Sequence, residues 1–568
     1  MTEISGRRVV PASAFSHWLD TFFDIYYRRR PVNATFIGVH TYDHLLPACS
    51  PEGLTDSVNE MRALLQALRS LPEEPLSQAE AMDRRLAEGF LEIALWEAGS
   101  SHFEQGNPSY YTGEAIFGVL SLFLRPFAPL ADRVESAISR LQAIPTLLGQ
   151  AETNVRRAPA AWTARALREC RGALAFLASG LDLLLAGQDL DESRLRAAAR
   201  VAAAAFTRYH DYLEHDLLAR PSDSYACGEV AFDLLLRRGH CLDRDAGAIE
   251  AYAVEQLQQS AAYLAAHAAD FGAAGPAEAL ASLADLHPDL DHYYARFTET
   301  WERIHATVVA GGVVTWPDYP IRYVPQPPWA RGAAPFLYFL PYRAPAAFDA
   351  VTPVEYLVPS IDADLPAAEQ LRRLRATNDS VITLNHVVHH GGLGHHVQNY
   401  YAYRAASRIG RVAAVDCASR IAMFCGGTMA EGWACYATEL AGELGCLTPL
   451  EQYAEQHTRL RMAARAIVDI RLHRGELTLA GAADSYRDTV GMAAEAAEAE
   501  AVKNSMFPGA AVMYLMGTDL IHDLRREIAA REGSDFSLRG FHDRLLSFGS
   551  VPVSLIAAAM RAENPAAP

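Results

Sequence analysis

Residues 381–403 read VITLNHVVHHGGLGHHVQNYYAY. The apolar runs Val381-Ile382-Thr383-Leu384 and Tyr400-Tyr401-Ala402-Tyr403 flank this tract, so it belongs to folded structure and not to a polar low-complexity loop. Five histidines, His386, His389, His390, His395 and His396, fall within eleven residues. Imidazole is the commonest neutral metal ligand, and a cluster this dense points to coordination. Downstream, Ala430-Glu431-Gly432-Trp433-Ala434 supplies a carboxylate. Two nearby histidines plus a Glu from a later helix form the ligand set of one class of catalytic zinc sites.

Spacing alone leaves the ligand pair open. The chain has no HExxH, the pattern that puts two ligands and a general base on one helix face. Gly391, Gly392 and Gly394 should break or bulge a regular helix. On an ideal helix His389 pairs with His396, seven residues on, whereas a break at the glycines pairs it with His395. His386 and His390, four apart, form a third choice.

Working outward, helical periodicity dominates. Leu86–Trp96, Val134–Gln150, Ala161–Gly187, Glu192–Leu218 and Ala248–His267 are amphipathic and rich in helix formers, with Pro145, Pro159, Pro221 and Pro276 expected as breakers. Residues 310–364 differ: prolines and aromatics crowd there, and Gly312–Trp316 and Phe336–Leu340 read as short strands. Helical patterns resume from Leu371. No repeat of fixed period is present. The expected fold is mainly α and two-lobed with a central cleft: an N-terminal helical lobe over 1–310, then a metal-binding helical lobe over 311–568 that opens with the extended segment.

The 568 residues are half apolar, ample for a large core. With 50 basic and 68 acidic side chains the net charge is −18, and no basic stripe appears, which argues against nucleic acid. No h-region opens the chain and no apolar run is long enough to span a bilayer, so no membrane association and a cytoplasmic location are expected. Eight cysteines without a CxxC pair read as buried thiols.

The motifs together resemble a bacterial domain-of-unknown-function family that carries an HExxPGHHxQ motif followed by EGWA. Those proteins look like helical zinc metallopeptidases, related in architecture to the oligopeptidases and the carboxypeptidase Taq group. The resemblance spans nearly the whole chain: Ala34–Asp43 near the start, Ala143-Ile144-Pro145, Pro159–Thr163, Val468-Asp469, His473, Phe507-Pro508-Gly509, Tyr514, Gly517, and Phe541–Leu546 with Gly549–Leu555 at the end. It implies His389 and His395 as metal ligands, with His396 beside them, and Glu431 as the third.

It also marks departures. The family's general-base Glu falls on His390 and its motif proline on Leu393. Lys503, Thr438 and Ala510 stand where the family has Arg, an acidic residue and Gln. By the same resemblance His473 and Tyr514 are candidates for oxyanion stabilisation. Asp469 is a candidate carboxylate behind a ligand histidine. Tyr338, Tyr342 and Lys503 are candidate substrate contacts.

The cofactor expected is one divalent metal, zinc first and Fe(II) as the alternative. The function expected is metal-dependent hydrolysis of an amide bond in a peptide or small amino-acid conjugate, with His390 as base. Two alternatives stand beside it. One is a non-hydrolytic metalloenzyme of small-molecule metabolism (lyase, isomerase or non-haem iron oxygenase); the other is a catalytically silent scaffold.

Overall fold

A computed structural model describes residues 13–72, 75–188, 192–332, 342–343, 347–349, 353–414 and 421–563. The fold is mainly α, as the periodicity predicts. The helices Gln78–Glu97, Leu130–Asn154 and Ala246–His267 cover three predicted segments, while Ala160–Ala175 and Ser193–Tyr212 form the first parts of the other two, which continue through the π-type turns Phe176–Gly180 and Leu213–Leu217. Pro145 does not break its helix but lies inside Leu130–Asn154. The apolar face on both sides of it, from Val134 to Leu148, is buried and holds the helix together through the missing hydrogen bond.

Among the described residues one small sheet forms from β1 (Ile321–Pro325), β2 (Tyr342–Arg343) and β3 (Val354–Val358), in the order β1-β3-β2. β1 runs parallel to β3 and β2 antiparallel to it. The predicted strand at Gly312–Trp316 is absent: Gly312 caps the helix Tyr293–Gly311 in the left-handed region, the chain bends at Val314, and side chains take the backbone. Val313 O accepts from His542 at 2.7 Å, and Thr315 N donates to Asp543 Oδ1 at 2.7 Å. Phe336–Leu340 lies outside the described residues.

The largest apolar core runs from Phe15 near the start to Met560 near the end and contains Val387, Val388, Leu393 and Trp433 of the two motifs. The histidine tract is therefore set among buried side chains from both ends of the chain. A separate core from Cys49 to Leu217 holds part of the N-terminal helices together.

Candidate metal centre

The histidine tract does not form a regular helix. Asp379–Val381 begins an α-turn, which widens into π-type winding over Ile382–Gly391, breaks at Gly392–Gly394, and restarts as the α-helix His395–Ala402. Wider winding fans consecutive side chains over a smaller angle than the α-helix does, so adjacent residues can face one point. His389 and His390 do so, with ring centroids 4.7 Å apart.

The break then folds the chain back. Gly394 N donates to Val388 O at 2.9 Å, and a Cβ on Gly394 would lie 1.9 Å from His389 O, so only glycine permits the approach. His395 is thereby brought to 5.0 Å from His389 and 5.5 Å from His390, ring to ring.

The carboxylate arrives on the helix Gly427–Glu443. At Gly432 this helix crosses Val512–Glu532 at Gly517: a Cβ on Gly432 would sit 2.5 Å from Gly517 C, and one on Gly517 2.2 Å from Thr428 O. One residue further, buried Trp433 donates Nε1–H to Leu393 O at 2.9 Å, tying this helix to the glycine break. Glu431, Gly432 and Trp433 thus divide the work into a carboxylate, a close helix crossing and a tether.

The result is a compact donor set. Ligand nitrogens of His389, His390 and His395 all lie within 4.8 Å of one another. Glu431 Oε2 is 3.5 Å from His389 Nε2 and 3.7 Å from His395 Nε2, and it is buried with no hydrogen-bond partner among the described residues. Such a carboxylate oxygen is costly unless something positive faces it.

The protonation states match those of ligands. Burial drives His389 below its ordinary pKa, partly opposed by Glu431. Burial, then His389 and His395, holds His390 well below. Burial alone would raise Glu431, but the two imidazoles outweigh it and hold the carboxyl well below the usual range. His390 Nδ1 lies 2.7 Å from Asn385 O, which makes Nδ1 the donor and leaves Nε2 with its lone pair. That is the support ligating histidines ordinarily have. The residues present therefore fit a divalent ion held by His389, His395 and Glu431, with His390 beside them.

The other expected residues are distributed differently. His396 is not in the cluster: its Nε2 is 2.6 Å from Tyr319 O and its ring stacks on Tyr319 at 4.8 Å. On the α-helix His395–Ala402 it points about 100° away from His395. His386 bonds Tyr356 OH at 2.6 Å through Nδ1 and backs the tract against β3.

Asp469 stands behind no ligand histidine. Its oxygens accept the Gly509 and Ala511 N–H groups at 3.1 and 2.8 Å, pinning the loop after Met506. His473 is fully buried and bonds Asn504 O at 2.9 Å. Tyr514 is half-buried under the Arg465 guanidinium, 5.1 Å from ring centre to Cζ. Lys503 is half-buried on the helix Ala494–Met506. Tyr342 pairs with Tyr356 through the sheet, and Tyr338 lies outside the described residues.

Residues 31–560 match the family described as "Bacterial protein of unknown function (DUF885)". The chain belongs to that family. No curated protein matches it. Among solved structures it resembles "a putative lipoprotein of unknown function from Shewanella oneidensis", with 21% identity, a TM-score of 0.77 and coverage of 97% of this chain and 100% of that one. It also resembles "the putative lipoprotein from Colwellia psychrerythraea", with 16% identity, a TM-score of 0.75 and coverage of 97% and 99%.

At these identities the likeness shows the helical fold. It also corrects the expected location. Both relatives are described as lipoproteins, which is at odds with a cytoplasmic assignment resting on the apparent lack of a leader. Among the described residues no helix is long and apolar enough to cross a membrane.

Proposed function

We propose that this DUF885 member is a divalent-metal-dependent enzyme acting on a small molecule or short peptide. His389, His395 and Glu431 are its metal donors and His390 is a fourth. We further propose that its reaction is non-hydrolytic, of the lyase, isomerase or Fe(II) oxygenase type. One observation carries this reading. Where the resemblance to zinc metallopeptidases puts a general-base Glu, this chain has His390, and the ring shares the 4.8 Å cluster of nitrogens with His389 and His395.

A bound ion supplies Lewis acidity, and iron adds redox capacity. The chain's part is to hold the ion and to exclude water. His395 is fully buried, and the Glu431 side chain is 7% exposed. A general base works best with a pKa near the working pH. His390 is held well below its ordinary value by burial and two imidazoles, so it suits coordination better than proton transfer. Amide hydrolysis is the second reading, favoured by the His390 Nε2 lone pair, which the Nδ1 bond to Asn385 O leaves facing the cluster.

The test is metal analysis of untagged protein with three variants. Stoichiometric metal is expected in the wild type and its loss in Glu431→Ala. His390→Ala should release metal to a chelator more readily, while His390→Glu should gain peptide hydrolysis at the expense of the native reaction. Unchanged metal affinity in His390→Ala would overturn the fourth-donor assignment. A metal-free wild type would leave the silent scaffold.

A further inference from the structure

Arg461 and Arg465 lie one turn apart on the helix Pro449–His473, which packs beside the Glu431 helix. Arg465 has an ion pair: Nε is 2.6 Å from Glu500 Oε1, although without hydrogen-bond geometry, and the guanidinium rests on the Tyr514 ring. Arg461 differs. Among the described residues it makes no ion pair, and its Nε is buried without a hydrogen-bond partner. Glu500, a carboxylate that acts on it, is already in contact with Arg465. Lys503 also acts on Glu500, so a third cation faces the same acid.

The position is close to the metal donors. Arg461 acts electrostatically on His389. Cys435, one turn along the helix from Glu431, feels Glu431 and Arg465 and in turn acts on Arg461. Desolvation, followed by the like charge of Arg465, weighs against the Arg461 cation. Arg461 is half-buried, and the acid that acts on it is already paired with another arginine; a partly desolvated guanidinium with no ion pair of its own is unfavourable, and such groups persist where a ligand supplies the anion.

We propose that Arg461 anchors an anion subsite beside the metal donors, and that the substrate carries a carboxylate gripped by this guanidinium. Its fork of N–H donors matches a planar carboxylate in two parallel bonds. Glu500 sits on the same patch and repels a dianion, so a carboxylate fits better than a phosphate monoester. The proposal rests on the metal reading only for where the reacting bond lies. Anion binding itself needs no ion.

The test therefore uses the full chain stripped with EDTA and titrates N-acetylglycine, N-acetylglycinamide and inorganic phosphate by calorimetry at low salt. N-acetylglycine should bind at least about tenfold more tightly than its amide, an energy of one charge-assisted contact, and more tightly than phosphate. Arg461→Gln should abolish the preference and melt no lower than wild type, because it removes a partly desolvated charge that has no ion pair of its own. Arg465→Gln should melt lower, because it removes the ion pair that Glu500 makes. Equal binding of acid and amide, no binding of the acid, tighter binding of phosphate, or an Arg461→Gln protein that melts lower or fails to fold would each overturn the subsite. Metal analysis of the untreated protein fails or succeeds independently of these titrations.

Discussion

Gly394→Ala is the sharpest test of how the site is built. The added Cβ would lie 1.9 Å from His389 O, whereas ordinary contact begins at 3.4 Å. About 1.5 Å must be found between two backbone segments that cannot rotate away, and overpacking of this kind costs roughly 1–3 kcal/mol. The displaced group is the carbonyl of a proposed metal donor, so the shift passes directly to His389 Nε2, now 3.5 Å from Glu431 Oε2.

Sites tolerate errors of only about 0.5 Å in their donors. Metal retention should therefore weaken by roughly 10–100-fold, as when a supporting contact is lost, and the melting temperature should fall by about 1–3 °C. The assays are chelator competition followed by metal analysis, and scanning calorimetry. Gly149→Ala is the control, since nothing lies within 4 Å of its Cβ position. As a helical glycine it should gain up to about 1 kcal/mol. A Gly394→Ala protein with unchanged melting and unchanged metal affinity would refute the argument that the glycine break brings His389 and His395 together.

Two further outcomes follow from the assigned geometry. His395→Gln should lose the metal, while His396→Leu should keep it and instead lose about 1–3 kcal/mol of stability, because the leucine removes the donor 2.6 Å from Tyr319 O; metal analysis paired with urea denaturation separates them. His542 is buried neutral, its pKa pushed down to about 4 chiefly by burial, between Val313 O and Tyr436 OH. Its folded pKa lies below the unfolded value of about 6.5, so its contribution is complete above pH 6.5 and is lost as the pH falls toward 4. The stability gap between wild type and His542→Asn should therefore shrink by roughly 2 kcal/mol between pH 7.5 and 4.5; denaturation midpoints that stay parallel across that range would refute the assignment.

Much of the fold was legible because helices are local. Apolar spacing and good helix formers placed Leu130–Asn154 and Ala246–His267 before any tertiary contact was considered. Pro145 and Gly312–Trp316 were misread for opposite reasons. Burial on both sides overrides the proline, while His542 and Asp543, more than two hundred residues away, take the backbone that would have paired as a strand. Arg461 carried no signal at all. An arginine on a helix reads as solvated until its neighbours show that Glu500 belongs to Arg465.

From the residues alone come five clustered histidines between 386 and 396, a carboxylate at 431, and glycines that forbid a regular helix between His390 and His395. Which donors meet was decided only by the tertiary structure. Adjacent histidines at 395 and 396 are equivalent in composition, and one ends in the cluster while the other is spent on Tyr319 O. The difference lies in the direction each side chain leaves the helix. That direction follows from the glycine break, the Trp433 tether and the Gly432–Gly517 crossing, the last between residues 85 apart, which spacing along the chain does not encode.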